Sequence, residues 1–247
     1  MHAPIALSDA ATAAIRAHAA QVYPRECCGL LLRHGAAISY APCRNLATAP
    51  EEQFILDPEA WALAEDTADS IEAIVHSHPN ASANPSMADR VMCERTGLPW
   101  LVIGWPSGAL VWCDPCGFEA PLIGREFTHG VLDCYTLVRD WYWREHRIQL
   151  PDFPRTDLWW ERDEDLYLDN FAAAGFVEVT DLQPGDGLLM QVLSLKVNHA
   201  AVYLGDNVML HHLYGRLSGR DVYGGYWQRH TRKIVRHRDL LGAARAA

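Results

Sequence analysis

Apolar residues recur at helical spacing behind Ser8 and predict a first helix over Asp9–Val22. The period then changes. Gly29–Arg33, Ala36–Tyr40 and Gln53–Leu56 read as short strands. Asp57-Pro58-Glu59 is a helix start, with Asp at the N-cap and Pro in the first helical position, and opens a helix through about Ser70. The β-branched run Ile71–Val75 predicts a strand that continues through His76 and His78. A helix Met87–Thr96 and a hairpin follow, the latter formed by Trp100–Ile103 and Ala109–Cys113 around Pro106-Ser107-Gly108. Proline and glycine between Cys113 and Arg125 mark a linker. Two domains are therefore expected, 1–118 and 119–247.

In the second half, Leu137, Val138, Trp141 and Tyr142 share one face of a helix beginning near Cys134. A proline-interrupted loop (Leu150–Arg155), an acidic segment and a helix near Leu166–Ala174 come next. Strands are expected from Val177 to the end. Asn198–Leu204, the turn Gly205-Asp206-Asn207 and Val208–His211 form a hairpin signal. The expected class is α+β: a helix-covered sheet, then a helix bearing Cys134 packed on an antiparallel sheet.

Composition narrows the choices. The chain has 247 residues, 49% hydrophobic, enough for two ordinary cores. Its net charge is −10, but eight Arg/Lys stand against two Asp after residue 210, while Asp157–Asp169 holds six acidic residues and one Arg. No nucleic-acid-binding module accompanies the basic end, so it reads as a solvated surface or a protein docking face. The longest apolar candidate, Leu98–Val111, is broken by Pro106-Ser107-Gly108, so no membrane span is expected. The start of the chain lacks a cationic, apolar leader, and synthesis in a cytoplasm is expected. Seven cysteines without a leader argue against a disulfide framework, and the lone pair Cys113/Cys116 is no zinc ribbon. Adjacent Cys27 and Cys28 read as small core residues. Trp141, Trp143, Trp159 and Trp160 are candidates for lining a glycan or peptide groove, or for packing.

The stretch His76-Ser77-His78-Pro79, followed after six residues by Ser86-Met87-Ala88-Asp89, carries the strongest chemistry. Strand alternation points both imidazoles to one face. Asp89 adds a carboxylate from another element, and two His and one Asp with an open fourth position suit a catalytic zinc. Ser86 and Asp89 also read as a helix cap. The two readings are compatible, because a helix starting at Ser86 fixes Asp89 in its first turn.

This pattern resembles the JAMM motif of the MPN metallopeptidase family. The resemblance implies Zn2+ on His76, His78 and Asp89, with Ser86 assisting transition-state charge. It implies Glu26, in Tyr23-Pro24-Arg25-Glu26, as the general acid/base.

Cys134 is expected at a helix N-terminus, where the helix dipole favours a thiolate. The downstream hairpin brings His199 near His211. Asp133–Val138, Gln183-Pro184-Gly185-Asp186 and Asn198–His212 resemble, in that order, the NlpC/P60 family of papain-like cysteine peptidases. That resemblance implies Cys134 as nucleophile, His199 as base and His211 as the residue that orients it. His212 points to the opposite strand face, so only one of the adjacent pair can serve.

The two domains in this order, with the basic tail Tyr226–Arg238 and the Trp159-Trp160 pair, resemble the tail tip assembly proteins of lambda-type phages. This implies other phage tail tip proteins as partners and a peptidoglycan peptide as substrate. It implies the host cytoplasm during assembly, and the virion tail tip, as locations. A structural assembly factor with vestigial sites is the alternative. A ubiquitin isopeptidase is disfavoured because the second domain has no place in it.

Overall fold

The computed structural model describes residues 5–155, 159–162 and 164–242. Residues up to Glu119 form one compact unit and those from Ala120 another.

In the first unit α1 (Asp9–Val22) precedes the strands β1 (Cys28–His34) and β2 (Ala37–Cys43). Then come α2 (Pro58–Thr67), β3 (Ser70–Pro79), α3 (Met87–Thr96), β4 (Trp100–Trp105) and β5 (Ala109–Cys113). The sheet runs in the order β2-β1-β3-β4-β5. Only β3 and β4 are parallel, joined by the crossover that contains α3.

Alternation along the central strands sorts the core into two layers. Leu31, Ala73, Val75, Leu101 and Ile103 pack with Ile15 and Ala19 of α1. Leu30, Leu32, Ile74 and Trp100 pack on the other face with Ala64 of α2 and Cys93 of α3. Central β1 is covered on both sides, which is why it reads as an unbroken apolar run rather than an alternating one. Cys27 and Cys28 are buried in these layers.

The stretch expected as a strand over Gln53–Leu56 makes only one bridge, Asn45 to Leu56. The Asn45 side chain replaces a strand partner there. Its Oδ1 accepts from the Ala47 and Ile55 amides, and its Nδ2 donates to the Glu26 and Gln53 carbonyls. The helix expected through Ser70 stops at Thr67, and Ser70 opens β3 instead.

The second unit opens with α4 (Cys134–His146), α5 (Leu166–Asn170), β6 (Phe176–Val179), β7 (Gly187–Met190) and β8 (His199–Gly205). It continues with β9 (Val208–His211), β10 (Gly219–Val222), α6 (Tyr226–His230) and β11 (Thr231–His237). The antiparallel sheet has the order β10-β9-β8-β7-β11-β6. The face of α4 carrying Leu137, Val138, Trp141 and Tyr142 packs on Leu189, Ala200, Val202 and Leu210. Leu188, Met190, Ala201, Met209 and Tyr223 form a second cluster.

Two local features depart from the sequence expectation. α5 ends at Asn170 rather than near Ala174. The predicted linker ends in a fully buried Arg125, which donates to the carbonyls of Ala120 and Pro121 and pairs with Asp140 at 2.7 Å. The turn Gln183–Asp186 is pinned by a buried ion pair between Asp186 and Arg236, 2.7 Å apart. Asp157 and Asp163 of the acidic stretch lie outside the described residues.

Candidate functional sites

β3 places Ile74, His76 and His78 on the face covered by α3. The loop back to α3 starts at Asn80, in the left-handed region with φ 58°. It lies against Gly104, where a Cβ would meet the Ala83 nitrogen at 2.8 Å and the Ala81 oxygen at 3.0 Å. Glycine at this position lets the chain return close to β4 and enter α3 beside the histidines.

Ser86 caps α3. Its Oγ accepts from the Asp89 amide at 3.1 Å, and Asp89 Oδ2 accepts from the Ser86 amide at 2.6 Å. Fixed in this way, Asp89 presents Oδ1 to His76 Nε2 and Oδ2 to His78 Nε2, each at 3.2 Å. The two Nε2 atoms are 3.1 Å apart. His76, His78 and Asp89 are the one group of metal-ligand type found to converge in this way among the described residues.

The donor set fits zinc. A tetrahedral ion with ligand bonds of about 2.0–2.1 Å separates neighbouring donor atoms by about 3.4 Å, close to the spacings seen here. His78 Nδ1–H donates to the Ser82 carbonyl at 2.9 Å, so Nε2 is the nitrogen that a neutral ring would offer to a metal. Phe54 stacks on the His76 ring (centroids 4.8 Å apart, planes at 25°), and Trp100 meets it edge-on at 5.3 Å. These two aromatic walls had no separate signal in the sequence. Phe54 is available for the role because its segment does not join the sheet.

Glu26 lies just before β1, next to Cys27. The Cys27 amide donates to Ser77 Oγ at 2.7 Å, and the Cys27 carbonyl accepts from the Ser77 amide at 3.0 Å. This pairing runs Glu26 alongside His78. Burial pushes the Glu26 carboxyl up to about 8, against the opposing pull of His78. Burial also acts to raise Asp89, but the hydrogen bonds and charges of His76 and His78 outweigh it and hold that carboxyl well below its usual range.

In the second unit His199 Nε2 lies 3.1 Å from His211 Nδ1, and His211 Nε2 lies 3.0 Å from Asp221 Oδ2. Trp227 meets the His211 ring edge-on, with centroids 4.8 Å apart. His212 turns the other way, to Phe127. The structure thus joins His211, not His212, to His199. It adds Asp221, whose place depends on a third strand that a hairpin pattern does not reveal.

Cys134 follows the N-cap Asp133, whose carboxylate accepts from the Thr136 amide and is paired with Arg155 at 2.8 Å. Among the described residues the side-chain hydrogen-bond partner of Cys134 Sγ is Tyr167 Oη, at 3.1 Å, rather than His199. The amide of Ala200, the residue directly after His199, acts to lower the Cys134 thiol. Burial opposes the thiolate expected at this helix N-terminus. Burial, with the Asp133 charge beside it, pushes the thiol up to about 11. Burial likewise pushes His199 down to about 3. Both shifts favour the neutral forms. Behind Tyr167 and Ala200 lies an apolar cavity whose one charged lining residue is Arg155.

Two family models match the chain. Prokaryotic homologs of the JAB domain match residues 8–114, and the NlpC/P60 family matches residues 124–236. Tail tip assembly protein K of Escherichia phage N15 is 46% identical over 232 residues, covering 93% of this chain and 95% of that protein. The chain belongs to the tail tip assembly protein K family. Its counterpart in Escherichia phage lambda is 43% identical over 191 residues, covering 76% of this chain and 92% of that one. Among solved structures, one described as a metalloprotease-like zinc site in the proteasome and signalosome is 20% identical with a TM-score of 0.30. It covers 46% of this chain and 89% of its own. This member of the family is a mixed α/β protein with a JAB-like domain followed by an NlpC/P60-like one. No helix among the described residues is long and apolar enough to cross a membrane.

Proposed function

We propose that this chain helps assemble a phage tail tip, with other tail tip proteins as partners, and that its second unit is a cysteine endopeptidase acting on peptidoglycan stem peptides. The reading includes a zinc-dependent JAMM-type peptidase site in the first unit. It places the protein in the host cytoplasm during assembly and at the virion tail tip. The observation that carries it is the hydrogen-bonded chain Asp221–His211–His199, its two imidazoles buried, which ends next to Ala200, whose amide acts on Cys134.

In the thiol site Cys134 gives its proton to His199 as Sγ attacks the peptide carbonyl carbon. His199 then returns the proton to the leaving amine as the C–N bond breaks. Water hydrolyses the thioester and restores the thiol. His211 orients the His199 ring and stabilises its positive charge. Because both shifts favour the neutral forms, proton transfer accompanies attack instead of preceding it.

In the metal site His76, His78 and Asp89 would hold the ion. When bound, zinc supplies Lewis-acid polarisation of a carbonyl and a nucleophile at neutral pH. Glu26, buried beside His78, accepts and returns the proton. Ser86 Oγ accepts from Asp89, and its own O–H remains to donate to developing negative charge.

Mass spectrometry of purified muropeptides after incubation with wild type, Cys134→Ala and His76→Ala/His78→Ala tests both sites. Cys134→Ala should lose stem-peptide cleavage and keep its zinc. The double histidine variant should lose zinc. Unaltered cleavage by Cys134→Ala would refute the thiol assignment, and equal zinc in all three proteins would refute the metal assignment.

The buried, Tyr167-capped thiol favours a second reading, in which the chain is an assembly factor and one or both sites are vestigial. Normal tail assembly and infection with Cys134 and the zinc ligands replaced, together with failure when the gene is deleted, would establish it.

A further inference from the structure

The thiol site raises a question that Cys134, His199 and His211 leave open: which ring nitrogen of His199 carries the proton. We propose that Asp221 is a positioning residue that sets the tautomers of both imidazoles, leaving Nδ1 of His199 as the bare nitrogen. The inference deepens the cysteine peptidase reading and rests on it for the role of that nitrogen.

The hydrogen-bond inventory of the groups dictates the result. An ionised carboxylate only accepts, so at 3.0 Å from Asp221 Oδ2 the His211 Nε2 must carry the proton. A neutral imidazole has one N–H, so His211 Nδ1 is bare and can only accept. His199 Nε2, 3.1 Å away, must then be the donor, and His199 Nδ1 is left with a free lone pair. The alternative order would leave His211 Nε2 and the carboxylate as two facing acceptors.

The surroundings remove the usual escape routes. His199 and His211 are both buried, so water does not compete for the ring nitrogens. Trp227 contacts both rings, with centroids 6.1 Å from His199 and 4.8 Å from His211. Arg216 reaches the same Asp221 oxygen at 3.6 Å. The groups facing His211 are therefore His199, Asp221 and Trp227, with Arg216 behind the carboxylate. The downward displacement of His199 agrees with a neutral ring at physiological pH.

Position explains how three strands contribute. His211 on β9 is opposite Ala201 on β8 and Gly219 on β10, so His199 and Asp221 are both its diagonal neighbours, two residues from the paired positions. A change at Asp221 is thus transmitted to Nδ1 of His199 across two strands.

Long-range 1H–15N spectra of the histidine side chains in the full chain read the tautomers directly. Wild type should show Nε2–H on both His199 and His211. Asp221→Asn offers an N–H2 group to His211 Nε2 and should switch both rings to Nδ1–H. Muropeptide cleavage should then fall by on the order of 10³–10⁴-fold, as when a carboxylate behind a catalytic histidine becomes an amide. Asp221→Ala removes the acceptor without supplying a donor, and should lose less activity than the asparagine variant. Unchanged tautomers in Asp221→Asn, or equal losses in the two variants, would overturn the assignment. Switched tautomers alongside a wild type that cleaves no muropeptide would uphold Asp221 and overturn the peptidase reading instead.

Discussion

Ser86 and Asp89 hold each other: Ser86 Oγ accepts from the Asp89 amide at 3.1 Å, and Asp89 Oδ2 accepts from the Ser86 amide at 2.6 Å. The helix cap and the proposed metal-ligand carboxylate are therefore one device. The backbone bond that starts α3 also aims Asp89 at His76 and His78. Ser86→Ala should cost about 1 kcal/mol of stability and weaken zinc binding measurably, while Ser86→Thr should keep both. Denaturant unfolding and a zinc chelator competition check this. Full zinc affinity in the alanine variant would separate the cap from the site.

Cys134 should behave as a buried neutral thiol. Burial pushes its thiol up to about 11 and His199 down to about 3, so a neutral thiol and a neutral imidazole are expected at neutral pH. Peptide-resolved alkylation by iodoacetamide should rise steadily from pH 7 to pH 10 at Cys134, with the exposed Cys116 as internal reference. A fast, pH-independent reaction near pH 5 would reveal an ion pair and contradict the assignment.

The second unit should be acid-sensitive. Burial holds His199 down to about 3 and His212 to about 4, and lowers His211 despite its Asp221 partner. An unfolded histidine takes a proton near about 6.5. Their stabilising effect is therefore complete above that pH. It is lost as pH falls from there towards 4, because the unfolded chain binds protons that the folded unit refuses. Calorimetric melting against pH should show this loss, and His212→Phe should flatten part of it. A melting temperature constant from pH 7 to pH 4 would be inconsistent with buried neutral histidines.

The Asp186–Arg236 pair should matter for stability. Asp186 is fully buried and receives Nε and a terminal nitrogen of Arg236 at 2.7 and 2.9 Å. Removing one partner leaves the other charge buried and uncompensated, at a cost of roughly 3–5 kcal/mol. Arg236→Met should lower stability by that order in urea unfolding. A loss below about 1 kcal/mol would mean the pair is effectively solvated.

Much of this protein is local information. The helix Asp9–Val22 follows from apolar spacing behind a serine cap, and α3 begins at Met87 because Ser86 and Asp89 satisfy its first amides. The period-2 rule is enough to put His76 and His78 on one face of β3. These features depend on residues within a few positions of one another, where backbone geometry leaves little choice. Long-range packing decided the rest. Gln53–Leu56 has strand composition, yet Asn45 takes its hydrogen bonds and Phe54 goes to the His76 ring. Asp221 meets His211 only through the register of β9 and β10. Cys134 sits at a helix N-terminus as its sequence implies, but burial in the packed unit, with the Asp133 charge beside it, pushes the thiol up. Chain-local rules fix where a side chain starts and which way it points. The groups it meets, and how much water remains around it, exist only once distant segments have packed.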